Sequence, residues 1–173
     1  MILLNQPIKY LFIIILFFIS LQIYSQPALP ARSVTVQTSQ ALNFGTFSLG
    51  SISSMGGTVT VGWDGSRYAS GDIILLNYSP GHTPAIFEVN LCQGRNIIVT
   101  YNPTAVLTGS NGGTLTLNIG PTEKGDSGSS FPVNNNCQFI TPLRVGGTLD
   151  VGSDASNPGG VYTGSFSITF NQQ

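Results

Sequence analysis

From Tyr162 to Phe170 the chain reads Tyr-Thr-Gly-Ser-Phe-Ser-Ile-Thr-Phe, so Tyr162, Gly164, Phe166, Ile168 and Phe170 alternate with small polar residues. A period of two places the first set on one face of an extended strand and the second on the other, whereas a helix would scatter both around its circumference. The apolar face must be covered, which requires a sheet and a second layer. The same alternation recurs at Thr58–Trp63, Ala85–Leu91 and Thr114–Ile119, and less strictly at Ser33–Gln37, Ile73–Asn77, Asn96–Tyr101 and Leu143–Val151. Turn residues separate these runs. Lys and Glu, which usually solvate the outer face of a helix, occur after residue 25 only as Glu88, Glu123 and Lys124. The expected fold is therefore all-β, a β-sandwich of roughly eight to ten strands. Gly120–Asn136, rich in Gly, Ser and Asn, is expected to be a long surface loop.

The N-terminal stretch has a different pattern. Lys9 precedes the apolar run Tyr10–Ile19, and Ser20, Gln22 and Ser25 follow it. That run is about half the length a membrane-spanning helix needs, and its cationic start and small residue at Ser25 match an export signal. Residues 1–25 are expected to be cleaved, leaving 26–173 as one domain with no stable membrane span, in the periplasm, at the cell surface or released. An oxidising compartment favours pairing Cys92 with Cys137, the alternative being two buried thiols. Only five cations follow Lys9, too few and too scattered to neutralise a row of phosphates, so nucleic acid is not an expected partner. Charged residues are 8% of the chain, and its polar surface must be built from Ser, Thr, Asn and Gly.

Little in the sequence offers reactive chemistry. Gly125-Asp126-Ser127-Gly128 has the letters of a serine-protease nucleophile loop, but His82 is the only histidine and no Asp lies between it and Asp126. A nucleophilic serine needs a base and an orienting acid, so the stretch reads as a flexible loop and His82 as an exposed turn residue. Asp150, Asp154 and Asn157 surround a turn that could hold calcium, yet the regular calcium-loop spacing is missing and a plain hairpin connection is the stronger reading. Trp63, Tyr68 and Tyr78 could stack on a sugar if exposed. Trp63 shares parity with Val59 and Val61 and is expected in the core. No cofactor and no enzymatic activity are expected.

Five segments together carry a resemblance: Leu42-Asn43-Phe44-Gly45, Gly57–Val61, Ala85–Val89, Val145-Gly146-Gly147-Thr148-Leu149-Asp150-Val151, and Pro158–Phe170. From about Ser33 to Phe170 the chain resembles a family of secreted bacterial domains catalogued as of unknown function, similar to spore coat protein U and to pilins of the chaperone–usher type. The resemblance implies an immunoglobulin-like, pilin-like sandwich, incomplete by itself, whose terminal strand borders a groove. Into that groove a strand from a chaperone or neighbouring subunit would be added. It implies a structural or assembly subunit, with an adhesin-like module binding carbohydrate or protein through its loops as the alternative. Tyr162, Gly164, Phe166, Ile168 and Phe170 would form the assembly strand. Gln26–Val36 contains Pro27 and Pro30, and its two alternating valines, Val34 and Val36, suit the domain's own first strand as well as a donated arm.

Overall fold

A computed structural model describes residues 34–50, 55–91, 95–134, 136 and 138–173. The expected export segment 1–25, the arm residues 26–33, and both Cys92 and Cys137 lie outside the described residues.

Among the described residues there are thirteen strands and no helix. They are β1 (Thr35–Gln40), β2 (Thr46–Leu49), β3 (Gly57–Val61), β4 (Arg67–Gly71), β5 (Ile73–Leu76), β6 (Ala85–Asn90) and β7 (Asn96–Tyr101). Then follow β8 (Thr104–Gly109), β9 (Thr114–Thr122), β10 (Ser130–Pro132), β11 (Thr141–Val151), β12 (Tyr162–Thr163) and β13 (Ile168–Gln172). All pairings are antiparallel. An eight-stranded sheet runs β1-β6-β11-β9-β8-β12, with β3 paired to β11 and β4 to β3; β10-β7-β13 and β2-β5 form two smaller sheets.

β11 organises the large sheet because two neighbours share one of its sides. Thr141–Val145 pair with β6 and Gly147–Val151 with β3, while β9 runs along the other side. The change of partner falls at Gly146-Gly147. A Cβ on Gly146 would stand 2.6 Å from the Val61 carbonyl oxygen, so any larger residue would force β3 away from β11 at the junction. Leu143, Val145, Leu149 and Val151 point into the core with Val59, Val61, Val89, Leu115 and Leu117, all buried. Ile97 and Val99 on β7, Phe131 on β10, and Val133 join the same core cluster. Phe47, Leu49, Ile73, Leu75, Ile168 and Phe170 pack against it from the two smaller sheets. Each full burial of such a side chain stabilises the fold by about 1.5–3 kcal/mol.

Several expectations are corrected. The described residues form thirteen strands rather than roughly eight to ten, because β2, β4, β8 and β10 lack a long apolar alternation and because the closing segment is two strands. Gly120–Asn136 is not one long loop: β9 continues to Thr122, and β10 buries Phe131 within the polar stretch. Thr122 Oγ donates to Gly125 O (2.6 Å) and accepts from Lys124 N–H (3.1 Å), turning the chain tightly after β9. Trp63 is 40% exposed rather than core. Its strand ends at Val61, and a tight turn with Gly62 N–H bonded to Ser66 O takes the indole out of the alternation. Val36 belongs to β1 and, with Val34, packs on the domain's own core.

Candidate functional site

The residues expected to form one assembly strand divide between two sheets. Tyr162 lies on β12, which pairs with β8 in the large sheet, and Ile168 and Phe170 lie on β13, which pairs with β7 in the three-stranded sheet. Gly164 and Phe166 fall in the link between them. The link passes so close to β8 that a Cβ on Gly164 would stand 2.6 Å from Val106 O, so the glycine lets the chain leave the large sheet there. Side-chain alternation survives the crossing: Tyr162, Phe166, Ile168 and Phe170 are half-buried and the residues between them exposed. Phe166 meets Phe87 edge-on with ring centroids 6.3 Å apart, and Phe170 stands 6.0 Å from the same ring, so β6 anchors both sides of the change of sheet.

In an antiparallel ladder the residues whose N–H and C=O groups face the partner alternate with residues whose groups face away. Gln173 N–H bonds Asn96 O, which extends the β13–β7 register and assigns Thr169 and Asn171 to the bonded set. The N–H and C=O groups of Ile168, Phe170 and Gln172 therefore face away from β7, and among the described residues no strand pairs with them. The same reasoning applies to β2. Gly50 N–H bonds Asp72 O, so Thr46 and Ser48 face β5 while the main-chain groups of Phe47 and Leu49 point to the side where the described residues place no strand.

A cleft of about 940 Å³ opens between the segment Leu42–Gly50, which includes β2, and the segment 157–166, which includes β12. Leu107, Leu115, Leu117, Leu149 and Val151 line it from the core face of the large sheet, and Phe44, Phe47, Leu49 and Phe166 line it from the walls. Arg67 fixes the β2 wall: its guanidinium donates from Nη2 to Thr46 O (2.6 Å) and from Nη1 to Leu76 O (3.1 Å), the two carbonyls of one terminal rung. Its Nε is buried with no partner among the described residues. Burial lowers the guanidinium pKa from its ordinary value. The resemblance implied a groove beside the terminal strand, but its lining was missed in the sequence because it depends on which strands lie side by side over the core. The one available signal was Leu42-Asn43-Phe44-Gly45, whose Phe44 and Leu42 line it.

The other candidate groups are occupied structurally. Ser127 Oγ accepts from Tyr101 N–H (3.0 Å) and donates to Tyr101 O (3.1 Å), so its proton goes to a main-chain carbonyl and the side chain extends the edge of β7. Burial raises the Tyr101 phenol pKa, and Asp126 adds to the effect. His82 is half-buried rather than exposed, beside Thr83, whose main chain bridges Asn43. Asn157 accepts from Gly152 N–H (2.6 Å) and donates to Thr114 O (2.6 Å), stapling its turn, while Asp150 accepts from Asn118 (2.7 Å) on the large sheet. Among the described residues no group of three His, Cys, Asp or Glu side chains is placed to share a metal ion.

The chain matches no curated protein and no solved structure. Residues 34–171, from the residue before β1 to the penultimate residue of β13, match the family model described as a domain of unknown function, DUF4402, and the chain belongs to that family.

Proposed function

We propose that this protein is a non-enzymatic, exported structural or assembly subunit of a cell-surface structure, pilus-like or coat-like, with an immunoglobulin-like arrangement of strands completed by a strand from a neighbour. The observation that carries the reading is an apolar cleft of about 940 Å³ between two wall segments, with main-chain groups along β2 and along β13 that no strand pairs among the described residues. An added strand would gain hydrogen bonds along such an edge and bury alternate side chains, the chemistry of β-augmentation. The partner is a second copy of this chain or a chaperone, with no cofactor involved. Export through residues 1–25 and a Cys92–Cys137 bond belong to the same reading.

Neighbouring proline substitutions on β13 test it. Gln172→Pro removes an N–H that faces the free edge, whereas Asn171→Pro removes one that faces β7. Gln172→Pro should fold and fail to form dissociation-resistant polymers, as judged by solution mass with and without denaturant. Asn171→Pro should lose stability by about 1–3 kcal/mol. Unchanged assembly by a folded Gln172→Pro variant would remove the β13 edge from the proposal.

A further inference from the structure

We propose that the outer face of the eight-stranded sheet is a binding surface for an extended, uncharged, β-linked glycan. This surface is separate from the cleft and does not rest on the assembly reading. Its residues alternate with those of the core, so the strands that line the cleft with Leu117 and Leu149 present Asn118 and Thr148 on the opposite side. Registers across five strands set Tyr68, Thr60, Thr148, Asn118 and Thr104 in one row, crossing β4, β3, β11, β9 and β8 in turn. Adjacent strands lie about 4.8 Å apart. That spacing is close to the advance of one pyranose unit along an extended β-1,4-linked chain, so a glycan lying across the strands meets one side chain of the row per sugar.

The face is held in place before any ligand arrives. Thr60 Oγ and Thr148 Oγ are 2.9 Å apart, and in the next row Thr58 and Ser70 hydroxyls are 2.7 Å apart. Asn118 Nδ2 donates to Asp150 Oδ2 at 2.7 Å, tying the two rows together. Each hydroxyl pair spends one donor and keeps one, and Asn118 keeps a second N–H and its carbonyl oxygen, so the face still offers both donors and acceptors to sugar hydroxyls. Fixed rotamers lower the ordering cost of binding. Tyr68, 58% exposed at the end of the row, presents a ring on which a terminal sugar can stack.

Charge selects the partner class. In these two rows the only ionisable group besides the Tyr68 phenol is Asp150, already bonded to Asn118, and neither row carries a cation. Arg144, farther along the outer side of β11, is paired with Glu123 at 2.9 Å, so within the two rows nothing would neutralise an acidic polymer, and one engaged carboxylate offers little to a basic one. A neutral hydroxylated chain matches the surface.

The test uses the purified full chain, with cellohexaose titrated calorimetrically and pull-down on insoluble cellulose. Cellohexaose should bind, Tyr68→Phe should retain binding, and Tyr68→Ala should weaken it at least tenfold. The double variant Thr60→Val, Thr148→Val keeps side-chain shape and removes the hydroxyl pair, and it should weaken binding at least fivefold without lowering the melting temperature. Should Tyr68→Ala fail to fold, Thr116→Lys, on the exposed second row, serves in its place with the same expected loss. Failure to bind cellulose, xylan and mannan alike, or binding that none of these variants changes, would overturn the proposal, as would a preference for alginate over neutral glycans.

Discussion

β11 and β13 carry the same alternating pattern of side chains, and they differ in what lies beside them. β11 is paired with β6 and then β3 on one side and with β9 on the other, and its inward residues are buried from Leu143 to Val151. Among the described residues β13 is paired with β7 alone, and its inward residues are only half-buried. Alternation reports that a layer covers one face; it says nothing about the number of lateral neighbours. The main chain makes the distinction, because β11 directs its groups to partners on both sides while β13 leaves every second residue's groups facing away from its one ladder. A protein closed at its centre and open at its end can be rigid where it folds and available where it meets another chain.

The largest expected effect tests the closed region at its end. Leu91 follows β6, and Val89 of β6 pairs with Thr141 at the start of β11, so the chain leaves one end of this ladder toward Cys92 and enters it after Cys137. A bond between the two cysteines should stabilise the fold by about 4 kcal/mol through loop closure. Alkylation in denaturant without reductant should add no mass. Uptake of two alkyl groups would mean that the ladder holds without a covalent tie.

Next comes a direct comparison of the two strands. Leu143 on β11 is 0% exposed, and Leu143→Ala should cost about 3 kcal/mol in urea unfolding. Ile168→Ala on β13 should cost less than half as much, because that side chain is half-buried and the site can relax toward solvent. Equal losses would erase the distinction between a saturated centre and an open edge.

What could be read in the sequence follows the same division. Val89, Leu117 and Leu149 alternate with polar neighbours, and their strands were visible for that reason. β4 was not, because Arg67-Tyr68-Ala69-Ser70-Gly71 lies at the sheet margin and has no apolar alternation. Phe131 was hidden among serines, prolines and asparagines although it is buried. Trp63 had the parity of a core residue, but the turn at Gly62 interrupted the strand before the parity could apply. The assembly strand was recognised by its side chains, whereas its division at Gly164 depends on the approach of Val106 O, a tertiary contact with no local signature. The direction of its free amides likewise required knowing that Asn171, and not Phe170, bonds β7.

A smaller effect concerns the β2 wall. Two-stranded sheets are marginal alone, and the Arg67 guanidinium binds both carbonyls of the rung joining Thr46 to Leu76. Arg67→Met keeps the length of the side chain and removes both bonds, and it should cost about 1–2 kcal/mol. Amide exchange at Thr46 and Ser48 should accelerate, while that at Thr148 and Leu149 on β11 should not. Uniform acceleration would indicate that β2–β5 opens only with the whole domain.

The smallest effect lies in the turn between β3 and β4, where the closed sheet satisfies its own groups locally. Asp64 Oδ1 accepts from the Ser66 hydroxyl (2.7 Å) and the Ser66 N–H (3.0 Å), and these bonds, the hydroxyl first, lower its pKa from the ordinary value of 3.8. A carboxylate whose folded pKa is depressed contributes stability above its unfolded pKa and loses it as pH falls through the folded value. Asp64 should therefore favour the fold above about pH 4, with its contribution fading further into acid. Asp64→Asn preserves an acceptor for both Ser66 bonds and removes the titration. The variant's unfolding midpoint should change less steeply with pH below about 4 than that of the parent, while the two should run parallel at neutral pH. An identical acid slope would show that the turn persists through its neutral hydrogen bonds alone, and that the closed sheet needs no charge at this exposed carboxylate turn.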